Sequence, residues 1–380
     1  MITLTGDRRL IPMFLKYFNS SRIDFKLIAP LLMLLIIGYI MIFSTTSFKG
    51  LSEFSDAYFF IKRHSFFLVI GTLLFILGAS IPIKKYEKWA PFGYFGSIFL
   101  LIITLLPGVG IEIGGAQRWL TILNFQFQPV EIMKFWWAIA VSLILSRKTS
   151  ALSSFSKGMV PVFVIMVVPI VCLMLQPDLG NAILTLSVAF ALLFISQLPT
   201  IVFILTTLSG GLIIAYSVIK HPYQLKRIQS FLNPWVDPLG ANYHIIQSFT
   251  AIGSGGILGF GIGESRLKYF YLPLHYSDFI FSILCEEGGL LLAMVVVGGF
   301  GALFIRGIQI ALKQERYSFQ QFLVLALTFF LIFQAIINIC VVSGLFPITG
   351  IPLTFISYGG TSLLSSMFSL GVIHRIGMSR

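Results

Sequence analysis

Charge is scarce in this chain. Asp, Glu, Lys and Arg make up 11% of its 380 residues, while 57% are hydrophobic. Soluble domains carry about 25% charged residues, so an ordinary soluble domain is excluded. Among the charged residues the acidic ones are the fewer, 14 against 26 Lys and Arg, which leaves a net charge of +12. Such an excess would suit nucleic acid, but the cations sit mostly in segments between apolar runs and not on one face. A nucleic-acid partner is therefore rejected. The three cysteines, Cys172, Cys285 and Cys340, all lie in apolar segments. They read as small buried side chains, not as disulfides or metal ligands. His64, His221, His244, His275 and His374 show no metal-ligand spacing. The glycine run at 253–263 has no strand before it and no Gly-Lys-Ser/Thr ending, which excludes a nucleotide loop. The short alternating strands of a β-barrel are missing. No cleavable signal peptide is evident, since residues 1–22 are largely polar and basic and the first apolar run is long enough to stay in a bilayer.

What the chain does have is apolar runs near twenty residues, recurring along its whole length. That is the bilayer-spanning signature. The expected fold class is all-α: one polytopic membrane domain over 1–380 with about ten transmembrane helices. The spans are expected near 27–43, 65–83, 89–106, 128–146, 160–175, 181–196, 199–219, 278–304, 322–342 and 355–373. A Gly-rich loop fills 108–124. The longest polar stretch, 220–277, separates spans seven and eight. Its interleaved aromatic residues predict short helices lying at the membrane interface.

Ten spans put both termini on one side. Arg8, Arg9, Lys16, Arg22 and Lys26, then Lys84, Lys85 and Lys88, then Arg147, Lys148 and Lys157 fall on that side, as do Arg306, Lys313, Arg316, Arg375 and Arg380. The opposite segments hold fewer cations, most of them in the long loop. By the positive-inside rule both termini are cytoplasmic, residues 1–26 form a cytoplasmic tail, and 220–277 is extracytoplasmic.

The stretch 271–289 organises the rest. Asp278 stands at the first turn of span eight, and Glu286 and Glu287 lie about two turns deeper. Carboxylates in a membrane helix are costly and mark function. Ser277 and Asp278 also suit a helix cap, which would leave the glutamates unexplained. Glu131 and Lys134 share a helix face, as a self-neutralising pair or a substrate contact. Arg118 beside Trp119 can bind phosphate or anchor the interface. Asp178, at a tight link, reads by itself as a cap for span six. Gly359-Gly360 with Ser357, Thr361 and Ser362 reads by itself as close helix packing. Together Arg118, Glu131, Lys134, Asp178, Asp278 and Glu286 place mixed charge on several spans at one depth. A polar cavity of this kind fits a substrate with an anionic head and a lipid tail. A lipid-linked enzyme, a lipid translocase and an ion-coupled transporter all remain open on these grounds.

At these same motifs the chain resembles the SEDS family (shape, elongation, division and sporulation), the RodA/FtsW glycosyltransferases of bacterial cell walls. The matching segments are Gly-Ala-Gln-Arg-Trp-Leu at 115–120, Gln-Pro-Val-Glu-Ile-Met-Lys at 128–134, Gln-Pro-Asp-Leu-Gly at 176–180 and Asn-Pro at 233–234. Tyr-His-Ile-Ile-Gln-Ser at 243–248, Ala-Ile-Gly-Ser-Gly-Gly at 251–256, Asp-Phe-Ile-Phe at 278–281 and Phe-Ile-Ser-Tyr-Gly-Gly-Thr-Ser at 355–362 follow in order. Asp237-Pro238-Leu239-Gly240 and Thr349-Gly350-Ile351-Pro352 look like the elongation branch, RodA, and Gly263-Glu264-Ser265 before Lys268 looks like FtsW. The balance leans to RodA. The chain departs from the family's Pro-Glu-x-His-Thr-Asp-Phe motif: Pro273 is kept, but Leu274, Tyr276 and Ser277 replace Glu, His and Thr, and His275 lies one place early. Val130 for Ser and Thr354 for Pro are milder changes.

The resemblance implies polymerisation of lipid II, the undecaprenyl-pyrophosphoryl disaccharide-pentapeptide, in the bacterial cytoplasmic membrane during elongation. It implies a class B penicillin-binding protein and the elongation machinery as partners, and membrane lipid around the chain. It places the essential aspartate on Asp278, the general base. Arg118 and Lys134 become candidates for the pyrophosphate, with Glu131 and Asp178 holding them and Glu286 lining the site. A divalent cation could share the phosphate work, though the sequence shows no dedicated metal cage. A lipid II flippase is the alternative.

Overall fold

The computed structural model describes residues 23–113, 116–122, 125–147, 158–196, 198–238, 240, 242–267 and 276–378, with backbone alone for 112, 113, 116, 122 and 125. Arg8, Arg9, Lys16 and Arg22, Gly115, Lys148 and Lys157, Lys268, Pro273, Leu274 and His275, and Arg380 lie outside the described residues.

The ten expected spans are all present as helices, and the all-α polytopic membrane fold holds. In chain order they are α1 Phe25–Phe54, α2 Phe59–Ser80, α3 Ile83–Ile103, α4 Pro129–Leu145, α5 Val160–Leu175, α6 Leu179–Ile195 and α7 Thr200–Lys220. Two short helices follow, α8 Pro222–Leu232 and α9 Tyr243–Gly255, then α10 Ile280–Leu312, α11 Phe319–Val342 and α12 Gly360–Met378. By length and apolarity alone, α1, α2, α7, α10 and α11 can cross a membrane, and α5 and α6 are shorter apolar helices. The exposed rims of α1, α2, α3, α7 and α10 are lined with Leu, Ile, Val and Phe, as lipid contact requires. The centre is a single apolar cluster running through every span.

Several ends differ from expectation. α1 continues eleven residues past Phe43, because the Thr45 and Thr46 hydroxyls bond back to the carbonyls of Met41 and Ile42 and so satisfy themselves inside the helix. Lys62, Arg63 and His64 lie inside α2, and Lys84 to Lys88 form the first turns of α3 instead of a link. The Gly-rich loop holds a three-stranded antiparallel sheet in the order β1-β2-β3: β1 Gly110–Ile113, β2 Ala116–Ile122 and β3 Phe125–Phe127.

The long segment after α7 contains two helices, as expected, and α9 packs one face into the protein. Ser248 and Ala251 are fully buried, and the Ser248 hydroxyl donates to the Val342 carbonyl at 2.7 Å and meets the Ser282 hydroxyl at 2.7 Å. The segment after α9 enters a break in α10. Gly289 there has φ 63° and ψ −167°, a conformation that only glycine adopts without strain. Around it Phe260 and Gly261 N–H donate to the carbonyls of Glu286 and Glu287, and Leu290 and Leu291 N–H donate to Gly256 and Ile257. The broken helix thus hands its free backbone groups to the inserted segment, which is the condition for a break at membrane depth.

Candidate functional site

The site is built outward from α11, the most buried of the long spans. Gln334 and Asn338 stand four apart on one face of this otherwise apolar helix, so both side chains meet the same neighbours. Gln334 Nε2 donates to the Pro352 carbonyl at 3.1 Å and to the Ser362 hydroxyl at 3.1 Å. Asn338 Nδ2 donates to the carbonyls of Ile351 and Asp278, both at 2.8 Å. Two amides therefore pin the loop at 351–352 and the turn that carries Asp278 to one rigid post.

Asp278 lies in that turn, before α10 begins. The N-cap of α10 is Phe279, with no side-chain cap bond. The cap expected of Ser277 and Asp278 is therefore absent: the helix starts two residues later, and the carboxylate is left for other contacts. A Cβ placed on Gly350 would lie 3.6 Å from Asp278 Oδ2 and 3.9 Å from Arg118 Nη1. Gly350 also has φ +74°, so this backbone passes between the acid and the cation where another residue would be strained. Burial is the main influence on the Asp278 carboxyl and pushes it up from its usual value, against the opposing pull of Arg227, a Ser277 hydrogen bond and Arg118.

Asp278 lines a cavity of about 360 Å³ with Tyr223, Lys226, Arg227, His244 and Phe279. Proline at its first helical position starts α8, which supplies Lys226 and Arg227. Arg227 is held by the Ile348 carbonyl at 2.9 Å and by the Tyr223 hydroxyl. Burial first, and Arg227 second, push the His244 imidazole down, so it is neutral at pH 7 and the positive charge of the cavity comes from Lys226 and Arg227.

Arg118 sits on β2 and reaches across to α6. Its Nε is 3.9 Å from Asp178 Oδ1, and its guanidinium donates to the Pro177 carbonyl. Asp178 is a cap as expected, accepting from Asn181 N–H at 3.4 Å and Asn181 Nδ2 at 2.8 Å. It does both jobs, because a carboxylate has room for several donors.

Glu131 and Lys134 form a second centre. Lys134 Nζ donates to Glu131 Oε1 at 2.7 Å and to Gln334 Oε1 at 2.8 Å, and both charged residues are about 95% buried. Gln334 thus links this pair to the loop beside Asp278. Glu131 also borders an apolar groove of about 460 Å³ between α2, α4 and α12, lined by Leu74, Leu77, Ile132, Trp136 and Leu364. Glu286 lies elsewhere. Its carboxylate accepts from the Ser265 hydroxyl and, at 3.0 Å, from Arg266 N–H, while Glu287 accepts from Ser44 Oγ at 2.6 Å. Both glutamates hold the inserted segment in the break of α10.

Arg118, Asp178 and Asp278 are therefore brought together, Glu131 and Lys134 adjoin them through Gln334, and Glu286 stands apart. Sequence reasoning missed Lys226, Arg227, His244, Gln334 and Asn338. The two amides had a signal, polar side chains at helical spacing inside a span. Arg227 had none, since it counted only as one more loop cation. Among the described residues, no three His, Cys, Asp or Glu side chains come together to hold an ion.

Comparison with known proteins agrees with this architecture. The family model described as cell cycle protein, covering FtsW, RodA and SpoVE, matches residues 25–380. Stage V sporulation protein E of Bacillus subtilis is 37% identical over 351 residues, 92% of this chain and 95% of that protein. The probable peptidoglycan glycosyltransferase FtsW of Trichlorobacter lovleyi is 34% identical over 361 residues, 95% of this chain and 94% of that one. Among solved structures, a chain from work on the structural coordination of polymerization and crosslinking by a peptidoglycan synthase complex superposes with a TM-score of 0.74 at 27% identity, covering 94% of this chain and 98% of that one. The rod shape determining protein RodA of Thermus thermophilus has the same fold, with a TM-score of 0.69 at 24% identity over 94% of this chain and 98% of its own. With a family model matched over all but the first 24 residues, and relatives matched over nearly their whole length, the chain belongs to the FtsW/RodA/SpoVE family of cell cycle proteins.

Proposed function

We propose that the chain is an inverting peptidoglycan glycosyltransferase that polymerises lipid II, with Asp278 as its general base. One observation carries this reading: a single carboxylate, raised by burial, shares a cavity with Lys226 and Arg227 and adjoins Arg118. Asp278 takes the proton of the acceptor 4-hydroxyl as that oxygen bonds to the donor's anomeric carbon. The bond from that carbon to the pyrophosphate oxygen breaks, and its electron pair leaves on undecaprenyl pyrophosphate. Arg118, Arg227 and Lys226 offset the developing charge. The Arg118 guanidinium is held in place by the Asp178 carboxylate and the Pro177 carbonyl. The apolar groove beside Glu131 suits a lipid chain. Lys134 and Glu131 contact the substrate from that side, Asp178 orients Arg118, and Glu286 acts through the backbone it holds. A divalent cation that joined the phosphates would find no dedicated cage among the described residues, and no step here depends on one.

The pH dependence tests the base directly. Asp278 works only when ionised, so activity falls as pH drops through its raised pKa. Arg227 opposes that rise. Arg227→Met is therefore expected to move the acidic limb of the kcat profile to higher pH. A limb that stays fixed, or moves down, would remove Asp278 as the titrating base.

The reading includes orientation: residues 220–277 extracytoplasmic, 1–26 and both termini cytoplasmic, in the bacterial cytoplasmic membrane. Ser230 is buried, so Val236, 74% exposed, is the better probe. Val236→Cys in a background without the native cysteines is expected to react with an impermeant maleimide on intact spheroplasts. Reaction only after lysis would invert the topology. The similarity to a synthase complex that couples polymerization to crosslinking supports a class B penicillin-binding protein as partner. Asp237-Pro238 and the 349–352 segment support a place in elongation and shape maintenance, with the elongation machinery, while the similar proteins carry division and sporulation names. Rounding as against filamentation on depletion separates the two.

A further inference from the structure

The turn bearing Asp278 is held on one side by its own backbone. Three successive carbonyls accept hydrogen bonds: Tyr276 from Tyr358 N–H at 2.9 Å, Ser277 from the Ser357 hydroxyl, and Asp278 from Asn338 Nδ2 at 2.8 Å. All three donors belong to α11 or the loop behind it. The other flank meets the Tyr276 ring. Lys49 Nζ, near the end of α1, lies 3.2 Å from the Tyr276 hydroxyl and 4.6 Å from the ring centre. Phe60, in the first turn of α2, lies 6.0 Å from that ring, and Tyr358 lies 6.1 Å away, edge-on. Phe60 and Tyr358 also meet edge-on at 5.6 Å, which closes the cluster into a triangle of rings. Lys49 is steadied in turn by Glu53 at 3.8 Å.

We propose that Tyr276 is a positioning residue for Asp278. Its ring, clamped between Lys49, Phe60 and Tyr358, ties the catalytic turn to the ends of α1 and α2. Hydrogen bonds from one side leave a turn free to pivot about them, and a second attachment two residues from the carboxylate removes that freedom. The ring provides it through aromatic packing and a cation–π contact, both of which have preferred geometry. Loss of the ring is therefore expected to move the carboxylate, while the backbone bonds from Tyr358, Ser357 and Asn338 stay in place. This inference rests on the proposed reaction.

Kinetics of the purified chain with its transpeptidase partner on labelled lipid II test it. Small misplacements of a reacting group cost up to about 10²-fold, so Tyr276→Leu is expected to lower kcat by roughly 10- to 100-fold with KM within about 3-fold. Tyr276→Phe keeps the ring and the cation–π contact, and is expected to retain activity within about 3-fold of the wild type. Lys49→Met is expected to lower kcat by about 3- to 10-fold alone, and to add nothing in the Tyr276→Leu background, since coupled residues are not additive. A wild-type kcat in Tyr276→Leu, an effect confined to KM, or additive losses in the double variant would each overturn the positioning role. If Tyr276→Leu fails to fold, Lys49→Met decides: an unchanged kcat overturns the proposal. A wild-type chain that forms no polymer would refute the reaction itself, whereas an active wild type beside an unaffected Tyr276→Leu refutes only this step.

Discussion

Asp278→Asn is expected to lower polymer formation by roughly 10²- to 10⁴-fold, the usual contribution of a general base. The substitution is well matched to the structure. The backbone carbonyl of residue 278 keeps its bond from Asn338, and no cap is lost, because α10 is capped at Phe279 without side-chain help. Asparagine fills the same volume and accepts hydrogen bonds, but takes no proton at neutral pH. Membrane insertion and lipid II binding should stay near normal, with Arg118, Arg227 and Lys226 still in place for the pyrophosphate. Asp278→Glu keeps the charge and moves it by about one methylene, so it is also expected to be impaired. Rates of labelled lipid II polymerisation, set beside binding measured on the same preparations, check both. Full activity in Asp278→Asn would remove the central residue from the mechanism.

Lys134→Ala is expected to destabilise the protein by about 3–5 kcal/mol, the range for breaking a buried ion pair from one side. The Glu131 carboxylate, 4% exposed, would lose its 2.7 Å partner, and Gln334 would lose the donor that fixes its carbonyl end. Gln334 also holds the Pro352 carbonyl, so the damage should reach the loop beside Asp278. Removing both charges, in Glu131→Ala with Lys134→Ala, should restore much of the stability, because no uncompensated charge then remains. Thermal unfolding in detergent measures that part. Activity divides the two roles of the pair. A stable double variant that remains inactive supports substrate contact, and one that regains activity sinks that contact for Lys134.

The spans were legible because bilayer crossing imposes long apolar runs, and these survive as α1 to α7 and α10 to α12. Their ends were not. Ser44, Thr45 and Thr46 look like the end of a helix in sequence, yet their hydroxyls bond within α1 or reach Glu287, and the helix runs on. The sheet carrying Arg118 was missed because its strands are short, three to seven residues, and sit among glycines. Asp178 and the Glu131–Lys134 pair could be read correctly, since caps and three-apart pairs are local. The Asp278 cap misread a turn, whose conformation depends on Asn338 and Ser357, sixty or more residues away. Arg227 entered the site through tertiary placement alone. The same limit hid Tyr276: sequence showed an altered motif position, and only packing against Lys49 and Phe60 gave that residue a task.

The most direct measurement is made on the unaltered protein. Purified chain with its transpeptidase partner is incubated with labelled lipid II, and the products are resolved on a gel, while the same preparation in liposomes is scored for movement of lipid II between leaflets. A ladder of glycan strands without such movement is the expected result. Movement of lipid II with no polymer would contradict the glycosyltransferase and establish the flippase in its place.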